Sequence, residues 1–223
     1  MTTILAGGQP LSLLAERAAF VAVSRTLLVA DAHIGKAVSF RAMGVPVPRG
    51  TTSETLAGLT ALVASTGAQR IVFLGDFLHS ARAHAAATAA AVAAWRQAHR
   101  ALELVLVRGN HDDHAGDPPP HLGIRVVDEP FMQGGFALCH HPKRIAGAYV
   151  LAGHLHPCVN LGGRAWDHLR LPCFWFDDDV GVLPAFGAFT GMHAIRASAG
   201  DRVFAIAENT VAALPTIAER CTA

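Results

Sequence analysis

Short, fully apolar runs alternate along this chain with stretches whose apolar residues recur every three or four positions. The first clear run, 26–30 (TLLVA), predicts a strand. A helix is predicted from Thr51, because Thr51 and Glu54 stand at capping-box spacing, Leu56, Leu59 and Val63 share a helical face, and Gly67 supplies a stop. Residues 71–74 (IVFL) predict a buried strand, 83–100 a second helix with Val92 and Trp95 facing the core, and 102–107 (LELVLV) a third strand. Strands are also predicted at 136–139 and 149–152. Beyond His156 the helical pattern fades, and apolar runs at 169–176, 180–183 and 203–206 predict further strands; 4–23 is strand-like too. The alternation predicts an α/β architecture. There is no internal repeat, and the stiff segment 117–120 (DPPP) has strand-like sequence on both sides, so residues 1–223 read as a single domain.

Composition changes this picture in one respect. Hydrophobic residues make up 52% and mean hydropathy is +0.34, which excludes a disordered chain. The alanine-rich stretch 85–94 is too short to span a bilayer, and the start MTTILAGGQP lacks a basic segment before a long apolar run. A cytoplasmic protein without membrane association is the expectation. The four cysteines form no CxxC pair and read as reduced thiols, with Cys139 and Cys173 in the core. Lys+Arg number 18 against 17 Asp+Glu, a net charge of +1, which lacks the basic footprint of a stand-alone duplex binder but leaves room for nucleic acid at a local patch. Histidine, at 13, is the unusual count and prompts a search for metal spacing.

Five apolar runs are each followed at once by metal-type residues: TLLVA by Asp31 and His33, IVFLG by Asp76, LVLVRG by Asn110, His111 and Asp112, FALC by His140 and His141, and YVLAG by His154 and His156. Recurrence in order places these ends side by side along one sheet edge, where open α/β sheets bind ligands. On extended backbone, residues i and i+2 point the same way, so Asp31 with His33, and His154 with His156, each offer two groups to one region. Carboxylates and imidazoles at this density are costly to bury without a cation. Two divalent ions against two aspartates leave net positive charge, suited to a phosphate ester.

The set Asp31-x-His33, Gly75-Asp76, Gly109-Asn110-His111-Asp112, His140 and Gly153-His154-x-His156 resembles the calcineurin-like metallophosphoesterase superfamily over residues 26–160. The resemblance implies two packed mixed β-sheets flanked by helices. It implies that Asp31, His33 and His156 bind one metal, Asn110, His140 and His154 the other, and that Asp76 bridges them. It also implies in-line attack on phosphorus by a hydroxide held between the metals, with His111 protonating the leaving oxygen and Asp112 as its orienter. His141 stands where the superfamily has glycine, so His140 and His141 both remain open as ligands. His79 either reaches the site or packs in its loop. Asp177, Asp178 and Asp179 read as a solvated turn, and His84, His99, His114, His121, His168 and His193 as surface or core residues.

Flanking segments extend the likeness: Gly35-Lys36, Phe40-Arg41, 44–50 (GVPVPRG), 141–144 (HPKR), 162–164 (GGR), 171–175 (LPCFW) and 183–191. With them, nearly the whole chain is similar to the bacterial ligase-associated DNA damage response endonucleases, the PdeM family. That resemblance implies a Mn²⁺-supported DNA phosphodiesterase working in repair beside an ATP-dependent DNA ligase, a helicase and an exonuclease. The mixed imidazole, carboxylate and amide set also suits Fe or Zn. The only two lysines, Lys36 and Lys143, adjoin metal motifs; with Arg41, Arg49, Arg144 and Arg164 they predict a phosphate-binding rim. A second enzyme class is a phosphatase or pyrophosphohydrolase on a nucleotide- or lipid-linked substrate. That class calls for an apolar lid, whereas the insert 35–50 reads as loop-like and basic. A non-catalytic scaffold would show degenerate ligands, and none is degenerate here.

Overall fold

The structure, a computed structural model, describes residues 1–47, 50–80, 85–162, 168–187 and 189–215. Arg49, His84, Arg164 and Cys221 lie outside the described residues. The strand-like N-terminus is a meander of β1 (Thr2–Ala6), β2 (Gln9–Leu14) and β3 (Ala18–Val21), paired antiparallel with each other. β3 also pairs antiparallel with β4 (Thr26–Val29), after which the chain changes mode. β4, β5 (Arg70–Leu74), β6 (Glu103–Val107) and β7 (Ile124–Val127) run parallel. Parallel neighbours need crossovers. These contain α1 (Lys36–Ala42) and α2 (Thr51–Thr66), then α3 (Ala86–Ala98), then α4 (Asn110–Ala115).

Among the described residues this first sheet has seven strands in chain order, and a second sheet has nine. The second is built from β8 (Phe131–Gln133), β9 (Phe136–Leu138), β10 (Tyr149–Ala152), β11 (Pro157–Gly162), β12 (His168–Phe176), β13 (Val180–Val182), β14 (His193–Ala194), β15 (Arg202–Ala207) and β16 (Thr210–Ala213). β10 lies parallel between β9 and β13, while β12 pairs antiparallel with β11, β13 and β15.

Alternation along the strands explains why the predicted runs are apolar throughout. Leu27, Val29, Ile71, Phe73, Leu104 and Leu106 pack on Leu56, Leu59 and Leu62 of α2 and on Val92 and Trp95 of α3. The intervening Leu28, Ala30, Val72, Leu74, Val105 and Val107 pack on Phe136, Leu138, Leu151, Phe174 and Phe176 of the second sheet. Both faces of β4–β6 are therefore covered, as a parallel sheet requires. The result is two mixed sheets flanked by helices.

Local readings divide. Gly67 ends α2 as expected, in the left-handed region at φ 64 with its N–H on the Val63 carbonyl. The capping box does not form: Gly50 is the N-cap, at φ 96 with no side-chain bond, and Thr51 is already helical. The insert 35–50 holds α1 rather than loop alone; seven residues are under two turns, too few to show a period. The acidic run is the turn joining β12 to β13, with Asp177 Oδ1 accepting the Asp179 and Val180 N–H groups at 2.7 and 2.6 Å. Among the described residues no helix is long and apolar enough to cross a membrane.

Candidate active site

The five motif-bearing strand ends do converge, but not along one sheet edge. β4, β5 and β6 belong to the first sheet, β9 and β10 to the second, and face-to-face packing brings their C-terminal ends together. Backbone bonds tie the loops within each sheet and, through Phe186, across the seam. The His33 N–H donates to the Asp76 carbonyl at 2.9 Å, Gly153 to His140 at 3.1 Å, and Phe186, beyond β13, to Ala30 at 2.9 Å.

The pairing of i with i+2 also arises differently. Asp31, His33, Asp76, His154 and His156 all have positive φ, at 52, 46, 51, 70 and 49°. They are not extended; tight left-handed turns past the strand ends aim them inward. Non-glycine residues are held in that region only where their surroundings over-determine it, and such strain concentrates at functional sites. Neighbouring glycines make room. A Cβ on Gly75 (φ +79) would overlap His140 Nδ1, one on Gly109 would overlap Asp76 Oδ1, and one on Gly153 would lie 2.7 Å from Asp31 Oδ2. Gly75→Ala is therefore expected to push His140 out of the cluster. Metal stoichiometry by elemental analysis should fall while far-UV circular dichroism stays that of the parent; full metal content in that variant would show that the contact is not limiting.

Asp31, Asp76 and His140 are 0, 2 and 0% exposed. On one side, His33 Nε2 faces His156 Nε2 at 3.4 Å, and Asp31 Oδ1 lies 3.4 Å from His156 Nε2. On the other, His140 Nε2 lies 2.9 Å from Asn110 Oδ1 and 3.1 Å from His154 Nδ1. Asp76 stands between, with Oδ1 3.5 Å from His140 and Oδ2 4.0 Å from His33.

Tautomers are set by the outer bonds. His140 Nδ1–H donates to the Leu74 carbonyl (3.0 Å) and His156 Nδ1–H to Gly191 (3.1 Å), so each turns a bare Nε2 inward. Burial, reinforced by Lys36 and nearby imidazoles, pushes His33 far below the usual histidine range, and burial with His140 and His141 lowers His154, so both stay neutral. Asp31 Oδ1 is buried with no hydrogen-bond donor. Imidazole nitrogens and carboxylate oxygens thus converge with at least one buried oxygen lacking a donor, and the group that fits them is a divalent cation. Asp31, His33 and His156, and also Asp31, Asp76 and His140, present ligand atoms within 4.8 Å of one another.

His79 is in the site. Its ring stacks on His111 at 4.8 Å and meets His33 edge-on at 5.3 Å. Burial, with Lys36 and His111, takes it down to about 4. His111 Nδ1–H donates to the His79 carbonyl (2.9 Å), leaving Nε2 4.0 Å from Asp76 Oδ2. Asp112 does not orient His111. Its carboxylate accepts the Leu78 and Gly109 N–H groups at 3.1 and 3.0 Å, lashing the β5 loop to the start of α4. Burial raises it to about 6 against the pull of those bonds. Lys36 opens α1 beside His33, and burial lowers its ammonium despite the attraction of Asp31 and Asp76. Arg41 lies exposed in the last turn of α1.

Two further described rim residues, Arg144 and Lys143, are held in ion pairs. Arg144 pairs with Asp177 and Asp179 at 3.5 and 3.2 Å. That turn sits at the start of β10, where Val150 N–H bonds the Asp179 carbonyl, whereas the cluster is at its end, on the order of 10 Å away at strand rise. Lys143 pairs with Glu129 at 2.9 Å.

Glu129 itself had no signal in the sequence. Its Oε2 accepts the backbone N–H groups of His140 and His141 at 2.7 and 2.9 Å, and its Oε1 meets His141 Nδ1 at 3.1 Å. Partial burial pushes this carboxyl up, but the His141 N–H, Lys143 and the His140 N–H outweigh it and hold it at about 2. Glu129 is thus a positioning residue for His140. Glu129→Ala is expected to weaken metal affinity about 10- to 100-fold, as loss of an outer-shell partner does. Titration calorimetry checks this, and Glu129→Gln, which still offers an acceptor oxygen, should recover part of the loss.

No family model and no curated protein matches the chain. Among solved structures it is similar to the crystal structure of Pseudomonas putida nuclease MPE, with 46% identity, a TM-score of 0.86, and coverage of 96% of this chain and 99% of that one. At that identity over essentially both full lengths, and with a fold that seats this cluster between two sheets, the chain belongs to the family of the Pseudomonas putida nuclease.

Proposed function

We propose that this protein is a metal-dependent nuclease that hydrolyses phosphodiester bonds of DNA in the cytoplasm, in repair beside an ATP-dependent DNA ligase, a helicase and an exonuclease. The observation that carries the reading is the convergence of seven metal-type side chains, three on either side of Asp76, in a chain 46% identical to a nuclease. In this reading Asp31, His33 and His156 would hold one ion, Asn110, His140 and His154 the other, and Asp76 would serve both. His140 is preferred over His141 because its side chain is 0% exposed beside Asp31 and Asp76, whereas that of His141 is 44% exposed and bonded to Glu129. Mn²⁺ is the expected ion; Fe or Zn suits the same N/O set.

When bound, two divalent ions supply an acidified water and positive charge against that developing on the phosphoryl oxygens. The chain's own groups do the rest. Hydrolysis adds water across a P–O bond, and the departing oxygen needs a proton. His111 is aimed inward by the His79 carbonyl at Nδ1 and, as an imidazolium, gives that proton from Nε2, leaving a neutral ring. Lys36 steadies the phosphate. The test is Mn²⁺-dependent cleavage of single-stranded, duplex and nicked DNA beside a generic phosphodiester, with Asp76→Ala as control. Hydrolysis of the generic diester with all three DNAs left intact would overturn the DNA reading.

A further inference from the structure

Aromatic rings continue outward from the cluster. His111 stacks on His79, His79 lies 6.1 Å from Phe40, and Phe40 meets Phe189 edge-on at 5.4 Å. Phe40 is half-buried on α1 and Phe189 is 37% exposed in the loop after β13. Lys36 Nζ stands 6.0 Å over the Phe40 ring. Phe189 lines, with His33, Lys36 and Thr190, the cavity beside the cluster, and Thr190 Oγ1 there has no hydrogen-bond partner. An exposed ring is common enough alone. Here two phenylalanines adjoin a polar, cation-fitting site, one of them open to solvent, with an ammonium and a spare hydroxyl beside them.

We propose that Phe189, buttressed edge-on by Phe40, forms a stacking platform for a nucleobase adjoining the scissile phosphate that Lys36 steadies. The proposal rests on the DNA reading above and adds which surface grips the base. A phosphodiester seated at the cluster carries its bases one sugar away, so one of them needs a flat apolar surface at the rim. Stacking serves every base, because each has a π-face, so the platform confers grip without sequence preference. The competing account is that the pair only closes the loop after β13 onto α1.

The test uses the metal-loaded protein and two oligonucleotides of equal length, one normal and one abasic across the cleaved region. The parent should favour the normal strand in KM, and Phe189→Ala and Phe40→Ala should erase about 5- to 100-fold of that preference. Phe189→Trp should keep it, and Phe189→Leu, which preserves apolar bulk, should lose it. A 2-aminopurine oligonucleotide gives a readout independent of turnover: its fluorescence should be quenched by the parent and by Phe189→Trp, and not by Phe189→Leu. Equal slowing on both strands, with quenching intact, would overturn the platform while leaving the nuclease reading in place. A parent that cuts neither strand yet hydrolyses other phosphoesters would overturn both.

Discussion

Asp76→Ala is expected to lower phosphodiester hydrolysis by at least about a thousandfold, the scale set by several kcal/mol of lost charge stabilisation at about 1.4 kcal/mol per decade. The carboxylate is 2% exposed and faces both halves of the cluster, so its loss weakens both sets of ligands at once. Stability should move the other way. Without metal, the Asp76 and Asp31 carboxyl groups are buried near one another against His140. Asp76→Asn keeps an oxygen for the His111 N–H and removes one charge, so the metal-free variant should melt no lower than the metal-free parent. Thermal melts with and without chelator, beside turnover on DNA, check both halves. A variant that retains activity, or one that melts lower without metal, would contradict this account of Asp76.

His111→Ala is expected to slow cleavage of esters with alkoxide leaving groups by about 100- to 10,000-fold, the usual worth of a general acid. On an ester whose leaving group departs as a stable phenolate, the same variant should lose far less, because that oxygen needs no proton in the transition state. The ratio of the two losses is therefore the measurement. His111 also packs against His79 and His33, and a purely structural defect would slow both substrates alike. Metal content of the variant, equal to the parent's, separates lost proton transfer from lost ions.

The metal-type residues were legible because each follows an apolar run too short to be anything but a buried strand. Their convergence was legible too, but its cause was not. Positive φ at Asp31, His33, Asp76, His154 and His156 leaves no periodic trace, and two sheets cannot be told from one when both present apolar runs. Glu129 was invisible because its partners, the N–H groups of His140 and His141, lie across a hairpin and belong to the backbone. Asp112 misled for the opposite reason: adjacency in sequence suggested a bond to His111, while a helix start turns adjacent side chains apart. Arg144 followed the same error, since the loop between β9 and β10 carries it away from His140 to the acidic turn at the start of β10.

The division of the cluster between the sheets follows chain order. Strands up to Val127 build the first sheet and those from Phe131 the second. A polypeptide emerging during synthesis therefore presents Asp31, His33, Asp76 and Asn110 well before His140, His154 and His156 exist beside them. Half a cluster offers only part of the metal-type groups that meet there. A chain cut short by truncation or stalled on the ribosome is therefore expected to lack hydrolytic activity, which should arrive only with the last sheet to be made.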